Sequence, residues 1–499
     1  MLWDTTIFTA LTLSSSSPIL NPYAADNHSG LVFGYRHASV LLMRRLLVIG
    51  LSALLVLQQG IPPRAIAGII EADIGRKFSL IAQSQLPLVR DYTVQRYVQR
   101  LGQRIVAHLD QAEFPYQFFV VQEPHLNAFS VPGGYIYLHS GLILRVSSDD
   151  ELAGVLGHEI AHVQGHHAVR QQQDTKLFSY AGLAAMALAI INPVLAVGAS
   201  SAAAAKQLQY QRQLEEEADF RGLQYMRQAG FDPHGMPRFL KKMWNEDRLQ
   251  ADVIPPYFRS HPLSQDRLSY IERILGTFQW NAPAPPNNFE LERVQAILRA
   301  LQGPRNRVIA DYQQRVKEHP DDPQALALLG TVLLRYNDAA QARQLLEQAS
   351  TKGIQLDCDL GLAYLRLGNR ERARQAFARQ SEIDPSDADA HNQLCKLLMQ
   401  EGDIERAEQE CRAALGLDPR LDESYITLAQ LAEQKGKLGE SRLFLAQAME
   451  LQGRLEAALS QYQQAAEVFG PGHPKTEDLT EKTEELEEVI RALPRQRGR

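Results

Sequence analysis

Glu151-Leu152-Ala153-Gly154-Val155-Leu156-Gly157-His158-Glu159-Ile160-Ala161-His162 is the stretch from which the rest of this 499-residue chain is read. His158 and His162 are four residues apart, so on a helix their imidazoles leave one face at the separation a tetrahedral Zn²⁺ requires, with Glu159 beside them. Ser148-x-x-Glu151 is a capping box that starts such a helix. Leu152, Val155, Leu156 and Val163 give it an apolar backing, so it can be buried while its polar face meets a metal. The H-E-x-x-H pattern alone also arises by chance in long chains, and the reading depends on what surrounds it.

A catalytic zinc site needs a third protein ligand. The extended pattern H-E-x-x-H-x-x-G-x-x-H would put a histidine at position 168. Gly165 is in place, but that position is Ala168, and His166 and His167 are out of phase. The other source is a glutamate on a later helix. Glu215-Glu216-Glu217-Ala218-Asp219 offers one, in a helical stretch from Leu208 to Ala229 that stops at Gly230. Adjacent glutamates commonly mark only a solvated face, but Glu215 and Asp219 are one turn apart and share a face with small Ala218 nearby. Glu215 is read as the third ligand, Asp219 as the residue anchoring a ligand from behind, and Glu216 and Glu217 as surface charges.

Upstream, Tyr116 to Val121 is a β-like run, and Pro132-Gly133-Gly134 reads as a turn into a strand from Tyr135 to Leu138. A Pro-Gly-Gly entry places that strand at a sheet edge. There the main chain of Tyr135, Ile136 and Tyr137 would pair with an extended substrate.

H-E-x-x-H followed by E-x-x-A-D resembles the gluzincin family, which contains the CAAX prenyl proteases and bacterial membrane quality-control proteases. Asn127-Ala128-Phe129 with Pro132 to Tyr137, Ala229-Gly230-Phe231-Asp232-Pro233, and Ser260-His261-Pro262 followed by Arg267 resemble further signatures of that family. The resemblance runs over roughly residues 70 to 470. It implies a zinc metalloendopeptidase with one Zn²⁺ per chain, held by His158, His162 and Glu215, and Glu159 as the base that takes a proton from the metal-bound water. His261 has three readings: a ligand in a resting state, a group that stabilises the oxyanion, or a turn histidine before Pro262. Arg267 has the weaker claim, because an Arg on a helix face is usually a surface charge.

Beyond residue 288 an internal period appears. Leu329-Gly330, Leu360-Gly361, Leu394-Cys395 and Leu428-Ala429 are spaced 31, 34 and 34 residues apart, and Asp322-Pro323, Asp384-Pro385 and Asp418-Pro419 punctuate the units. This resembles tetratricopeptide repeats, helix pairs near 34 residues long that stack into a superhelix for binding extended partners. Gly453 stands where a terminal Pro is expected. Cys395 and Cys411 fall at packing positions of one repeat. Two buried thiols are the default reading and pairing in an oxidising compartment is the alternative.

Near the N-terminus, Met43-Arg44-Arg45, the apolar run Leu46 to Leu57 and Ala65-Ile66-Ala67 make a secretory signal peptide. Residues 1–42 ahead of it read as a non-native extension. Leu177 to Ala205 carries no charge over 29 positions. A single crossing of a bilayer would separate His162 from Glu215, so the stretch reads as a bent helical hairpin, either over the cleft or at a membrane surface, or else as a buried helical pair.

The expected fold is mainly α with a small β-sheet, a zincin-like metallopeptidase domain followed by an α-solenoid. Its parts are a signal peptide at 43–67, the peptidase domain at 68–278, a linker and connecting helix at 279–304, repeats at 305–470 and a charged helix or tail at 471–499. Composition is compatible: 45% apolar residues, 22% charged and a net charge of −6 exclude a disordered chain and give no bulk attraction to nucleic acid. By resemblance, exported members of this kind work in the periplasm on unfolded or misassembled outer-membrane proteins and their β-barrel assembly machinery. The alternatives are a repeat-based chaperone or adaptor whose metal site is mostly shut, and a membrane-embedded quality-control protease.

Overall fold

The computed structural model describes residues 63–171, 179–191, 203–249, 256–278, 280 and 288–493. The readings of 1–42 as an extension and of 43–62 as leader lie outside these residues, as do 192–202 in the uncharged stretch.

Two helices, α1 (Pro63–Gln85) and α2 (Tyr92–Val106), precede β1 (Gln117–Val121), β2 (Ala128–Val131) and β3 (Tyr135–His139). The strands form one sheet of order β1-β3-β2. β3 runs parallel to β1, with Phe119 opposite Tyr137, and antiparallel to β2, with Phe129 opposite Tyr137. This corrects the sheet-edge reading of Tyr135, Ile136 and Tyr137. Pro132-Gly133-Gly134 is a hairpin turn, with Gly133 and Gly134 at φ 86° and 93°, and the hairpin supplies β2 as a neighbour on one side while β1 takes the other. The main chain of β3 is therefore used on both sides, and the edges of the sheet lie at β2 and at β1, whose outer side meets, among the described residues, only an isolated bridge from Leu88 to Val121.

Side chains alternate across the sheet. Phe118, Val120, Ile136 and Leu138 enter one core with the helices that follow, while Phe119, Val121, Val131 and Tyr137 enter a second core with Ile74, Phe78 and Ile81 of α1. Coverage on both faces explains the unbroken apolar run Phe118 to Val121.

After α3 (Ser140–Ile143) come α4 (Asp149–Gln164), α5 (His167–Gln171), α6 (Tyr180–Ile191), α7 (Ala203–Gln228), α8 (Gly235–Leu249), α9 (Pro256–Ser260) and α10 (Gln265–Leu275). Ser148 caps α4 by accepting from the Glu151 amide, and the Glu151 carboxylate accepts from the Ser147 amide. α4 is buried on nearly all sides, as expected of a helix at the centre of a domain. From the uncharged stretch, Leu183, Ala184 and Ala187 of α6 are buried in the second core. No helix among the described residues is long and apolar enough to cross a membrane.

The C-terminal part begins with α11 (Phe289–Gln302) and α12 (Arg305–Glu318). Helix pairs follow: α13 (Pro323–Arg335) with α14 (Ala339–Thr351), α15 (Asp357–Arg366) with α16 (Arg370–Ile383), α17 (Ala388–Glu401) with α18 (Ile404–Leu417), α19 (Asp422–Gln434) with α20 (Leu438–Leu451), and α21 (Leu455–Phe469) with α22 (Pro474–Ala492). The short 31-residue interval arises because α15 has 10 residues where α13 has 13. In the first two pairs a glycine admits a large side chain 16 positions on: a Cβ at Gly330 would stand 2.8 Å from Leu346, and one at Gly361 2.5 Å from Phe377. Cys395 and Cys411 hold the same two positions and are joined by a disulfide, with Cα atoms 5.1 Å apart. The expectation of two buried thiols is thus corrected: the packing contact in this repeat is covalent. Within the segment read as a charged helix or tail, α22 is the second helix of the last pair, burying Leu479, Leu486 and Val489 beside α1.

One side of the array faces the peptidase part. Arg335 pairs with Asp91 at 3.0 Å, Arg96 with Asp387 at 3.1 Å, and Arg420 donates to the Phe118 carbonyl at 3.2 Å. Glycine at 453 is required because a Cβ there would overlap the Gln83 carbonyl.

Candidate metal centre

The site exists because α4 and α7 cross at backbone contact. A Cβ on Gly157 would lie 3.0 Å from the Gly222 carbonyl oxygen, and a Cβ on Gly222 would lie 3.0 Å from the His158 amide nitrogen. At that separation the short side chain of Asp219 reaches His158, with its Oδ1 3.0 Å from Nδ1. Glu215, one turn earlier on the same face, reaches both histidines.

His158, His162, Glu215 and His261 each turn one ligand atom into a single cluster within 4.8 Å. His158 Nε2 lies 3.0 Å from His162 Nε2, 3.2 Å from His261 Nδ1 and 3.3 Å from Glu215 Oε2. Glu215 Oε1 lies 3.3 Å from His162 Nε2 and 3.0 Å from His261 Nδ1. Nitrogen and oxygen ligands about 2.1 Å from a tetrahedral Zn²⁺ are separated by about 3.4 Å, so these separations fit a tetrahedron. Of the three readings of His261, the geometry matches a ligand. Its Nε2 lies 3.4 Å from Glu159 Oε1. Glu159 is fully buried and neither carboxylate oxygen has a hydrogen-bond partner among the described residues. A buried carboxylate left in that state calls for a water or ion at the site.

Electrostatics point the same way. Burial alone would raise Glu215, but His261, Arg267 and His162 outweigh it and hold the carboxyl well below the usual range. Asp219 is likewise raised by burial and lowered further by Arg267 and His158. For His158, burial is overcome by Asp219 and Glu215, and its pKa is pushed up to about 9. Two buried carboxylates thus sit here in ionised form, held by Arg267 and the histidines around them.

Arg267 corrects the surface-charge reading. It is buried, its Nε and Nη2 fork Asp219 at 2.7 and 2.9 Å, and Nη1 stands 3.0 Å from Glu215 Oε2. Glu216 is exposed as expected, but Glu217 is half-buried and pairs with Arg170 at 3.0 Å and Arg221 at 2.9 Å. His166 turns away from the cluster to Glu71 and Glu113, at 2.8 and 3.1 Å. His166 stands in the turn after α4, at φ 52°, and its position in the sequence does not suggest that partnership, because Glu71 comes from α1.

Beside His158 a cavity of about 10 Å³, lined by Val155, Asp219, Tyr257 and Arg267 among others, has room for one water. A cavity of about 400 Å³ lies between α2 and the repeats at Tyr92, Arg96, Asp357 and Asp387, and shares no residue with the histidine–glutamate cluster.

Fold and site together define a metallopeptidase-type domain carrying a tetratricopeptide array. Residues 93–275 match Peptidase family M48, and residues 323–348, 358–422 and 439–464 match tetratricopeptide repeat families. The chain is 32% identical over 207 residues to the β-barrel assembly-enhancing protease of Escherichia coli K12, covering 40% of this chain and 42% of that one. It is 34% identical over 195 residues to the Yersinia pestis protein of the same name, covering 38% and 40%. It is 29% identical over 179 residues to mitochondrial metalloendopeptidase OMA1 of Schizosaccharomyces pombe, covering 36% and 52%. The chain spans about half the length of the curated relatives it matches.

Proposed function

We propose that this protein is an exported zinc-dependent endopeptidase of protein quality control. It acts in the periplasm on unfolded or misassembled outer-membrane β-barrel proteins, and its repeats engage the assembly machinery. The observation that carries the reading is the four-membered cluster of His158, His162, Glu215 and His261, with buried Glu159, whose oxygens accept no hydrogen bond among the described residues, alongside. The names of the relatives support the client class.

His158 and His162 through Nε2, and Glu215 through its carboxylate, would hold the ion. When bound, zinc polarises a scissile carbonyl and brings the pKa of its water to about 7. Glu159 takes the proton from the attacking water on a carboxylate oxygen and hands it to the leaving amine. Asp219, forked by Arg267, fixes the His158 ring. An extended substrate strand pairs with β2, whose outer edge carries no strand among the described residues and which packs on α4.

His261 fills the position that a catalytic centre keeps open, which makes the described geometry a resting form. The same observation supports the second reading, an adaptor whose metal site stays shut. Incubation of the full chain with an unfolded outer-membrane barrel protein, before and after chelation and zinc restoration, tests the proposal. Cleavage that is lost and regained with zinc supports it, and no cleavage in any arm contradicts it.

A further inference from the structure

His158 and His162 both point Nε2 into the cluster, so a neutral ring at either position carries its proton on Nδ1 and needs an acceptor there. For His158 that acceptor is a carboxylate, Asp219 at 3.0 Å. For His162 it is another imidazole: His162 Nδ1 lies 2.9 Å from His167 Nδ1, with the two rings nearly perpendicular at 89°. If His162 donates its Nδ1–H, His167 accepts at Nδ1 and holds its own proton on Nε2, which faces Glu217 Oε2 at 3.4 Å.

We propose that His167, backed by Glu217, is the positioning residue for His162, setting the tautomer and ring orientation of that ligand as Asp219 does for His158. The inference rests on the reading of His158, His162 and Glu215 as metal ligands. Three further observations support it. His167 is 2% exposed, so water cannot readily serve its ring nitrogens and partners within the protein must. Arg170 and Arg221 hold Glu217 in place. Gly165 leaves the space that His167 occupies: its backbone, at φ −81°, suits any residue, yet a Cβ would stand 2.2 Å from His167 Nε2. The two histidine ligands are therefore braced unequally, one by a charged acceptor and one by a neutral acceptor with its charge a step further away.

The test is zinc affinity of the full chain, measured with zinc alone against a chromogenic chelator, so that peptidase activity is not the readout. Removing an outer partner of a metal-bound histidine lowers affinity about 10- to 100-fold, and His167→Leu is expected to fall in that range. His167→Asn, which keeps an acceptor oxygen near the Nδ1 position, is expected to restore most of it. Gly165→Ala is expected to weaken binding like His167→Leu and to add nothing in the double variant. If His167→Leu fails to fold, Gly165→Ala alone decides. Wild-type affinity in His167→Leu or Gly165→Ala, equal losses in the Asn and Leu variants, or additive losses in the double variant would overturn the proposal. A wild-type chain that binds no zinc would instead overturn the functional reading beneath it.

Discussion

Nδ1 of His261 lies 3.0 Å from Oε1 of Glu215, so His261 stands at the fourth corner of the cluster that could hold a metal. A centre closed by four protein groups leaves no position for a reacting water, and a hydrolytic one must release a ligand first. His261 follows a five-residue helix, whereas His158 and His162 sit on buried α4 of 16 residues and Glu215 on α7 of 26 residues. It is the ligand whose release disturbs least. His261→Ala is expected to keep one zinc per chain and to cleave an unfolded substrate faster than wild type. A fall of about 100-fold, the size of a lost oxyanion donor, would give His261 the other role.

The crossing of α4 and α7 is too tight to take a methyl group without a shift of backbone. Gly222→Ala would put a Cβ 3.0 Å from the His158 amide nitrogen, forcing apart the helices that bring Asp219 and Glu215 to the histidines. The expected outcome is a loss of zinc affinity of about 10-fold or more with helix content unchanged by circular dichroism. Unaltered affinity would show that the helices can separate without moving the ligands.

Asp359 ties the peptidase side to the repeats. It is buried, accepts from Thr331 at 2.8 Å, and pairs with Arg293 at 2.8 Å and with Arg335 at 3.0 Å, while Arg335 also holds Asp91. Burial would raise its pKa, but Arg293 and Arg335 outweigh that and leave it far below the usual carboxylate range. Because the folded-state pKa is depressed, the stabilisation is complete above the unfolded pKa of about 4 and is lost as pH falls below it. Between neutral pH and about pH 3 the melting temperature of wild type should therefore drop further than that of Asp359→Asn. Parallel curves would count against this assignment.

The offset of 16 that places Leu346 over Gly330 and Phe377 over Gly361 places Cys411 over Cys395. Protein matured in an oxidising compartment and unfolded without reductant should expose one titratable thiol per chain, that of Cys358. Three thiols would mean that the third pair packs like its neighbours, without a covalent bond. With the bond intact, closure of a loop of this length is worth about 3 kcal/mol, which should appear as a lower melting temperature in reductant.

Local spacing makes His158, His162, Glu215 and Asp219 legible in the sequence, because each pair lies one helical turn apart and one turn fixes a shared face. The repeats are legible for a similar reason: their period survives even where α15 lacks its first turn. What spacing cannot express is which elements meet. Arg267 looks like a surface charge until α10 is laid beside Asp219. His167 and Glu217 look idle until α5 and α7 are brought together. The strand at Tyr135 looks like an edge because its neighbour β1 comes from the far side of the hairpin. A signal for some of this was present: Gly157 and Gly222 interrupt otherwise good helices, and a glycine there often marks close approach of another backbone.

The central claim is that Glu159 is the proton-transferring base beside a metal held by His158, His162 and Glu215. Glu159→Gln preserves the shape of the side chain and removes its basicity. The account predicts that this variant binds one zinc per chain with wild-type affinity, yet cleaves an unfolded outer-membrane barrel protein at a rate reduced by about 100-fold or more. Zinc bound and cleavage continuing at the wild-type rate would contradict it.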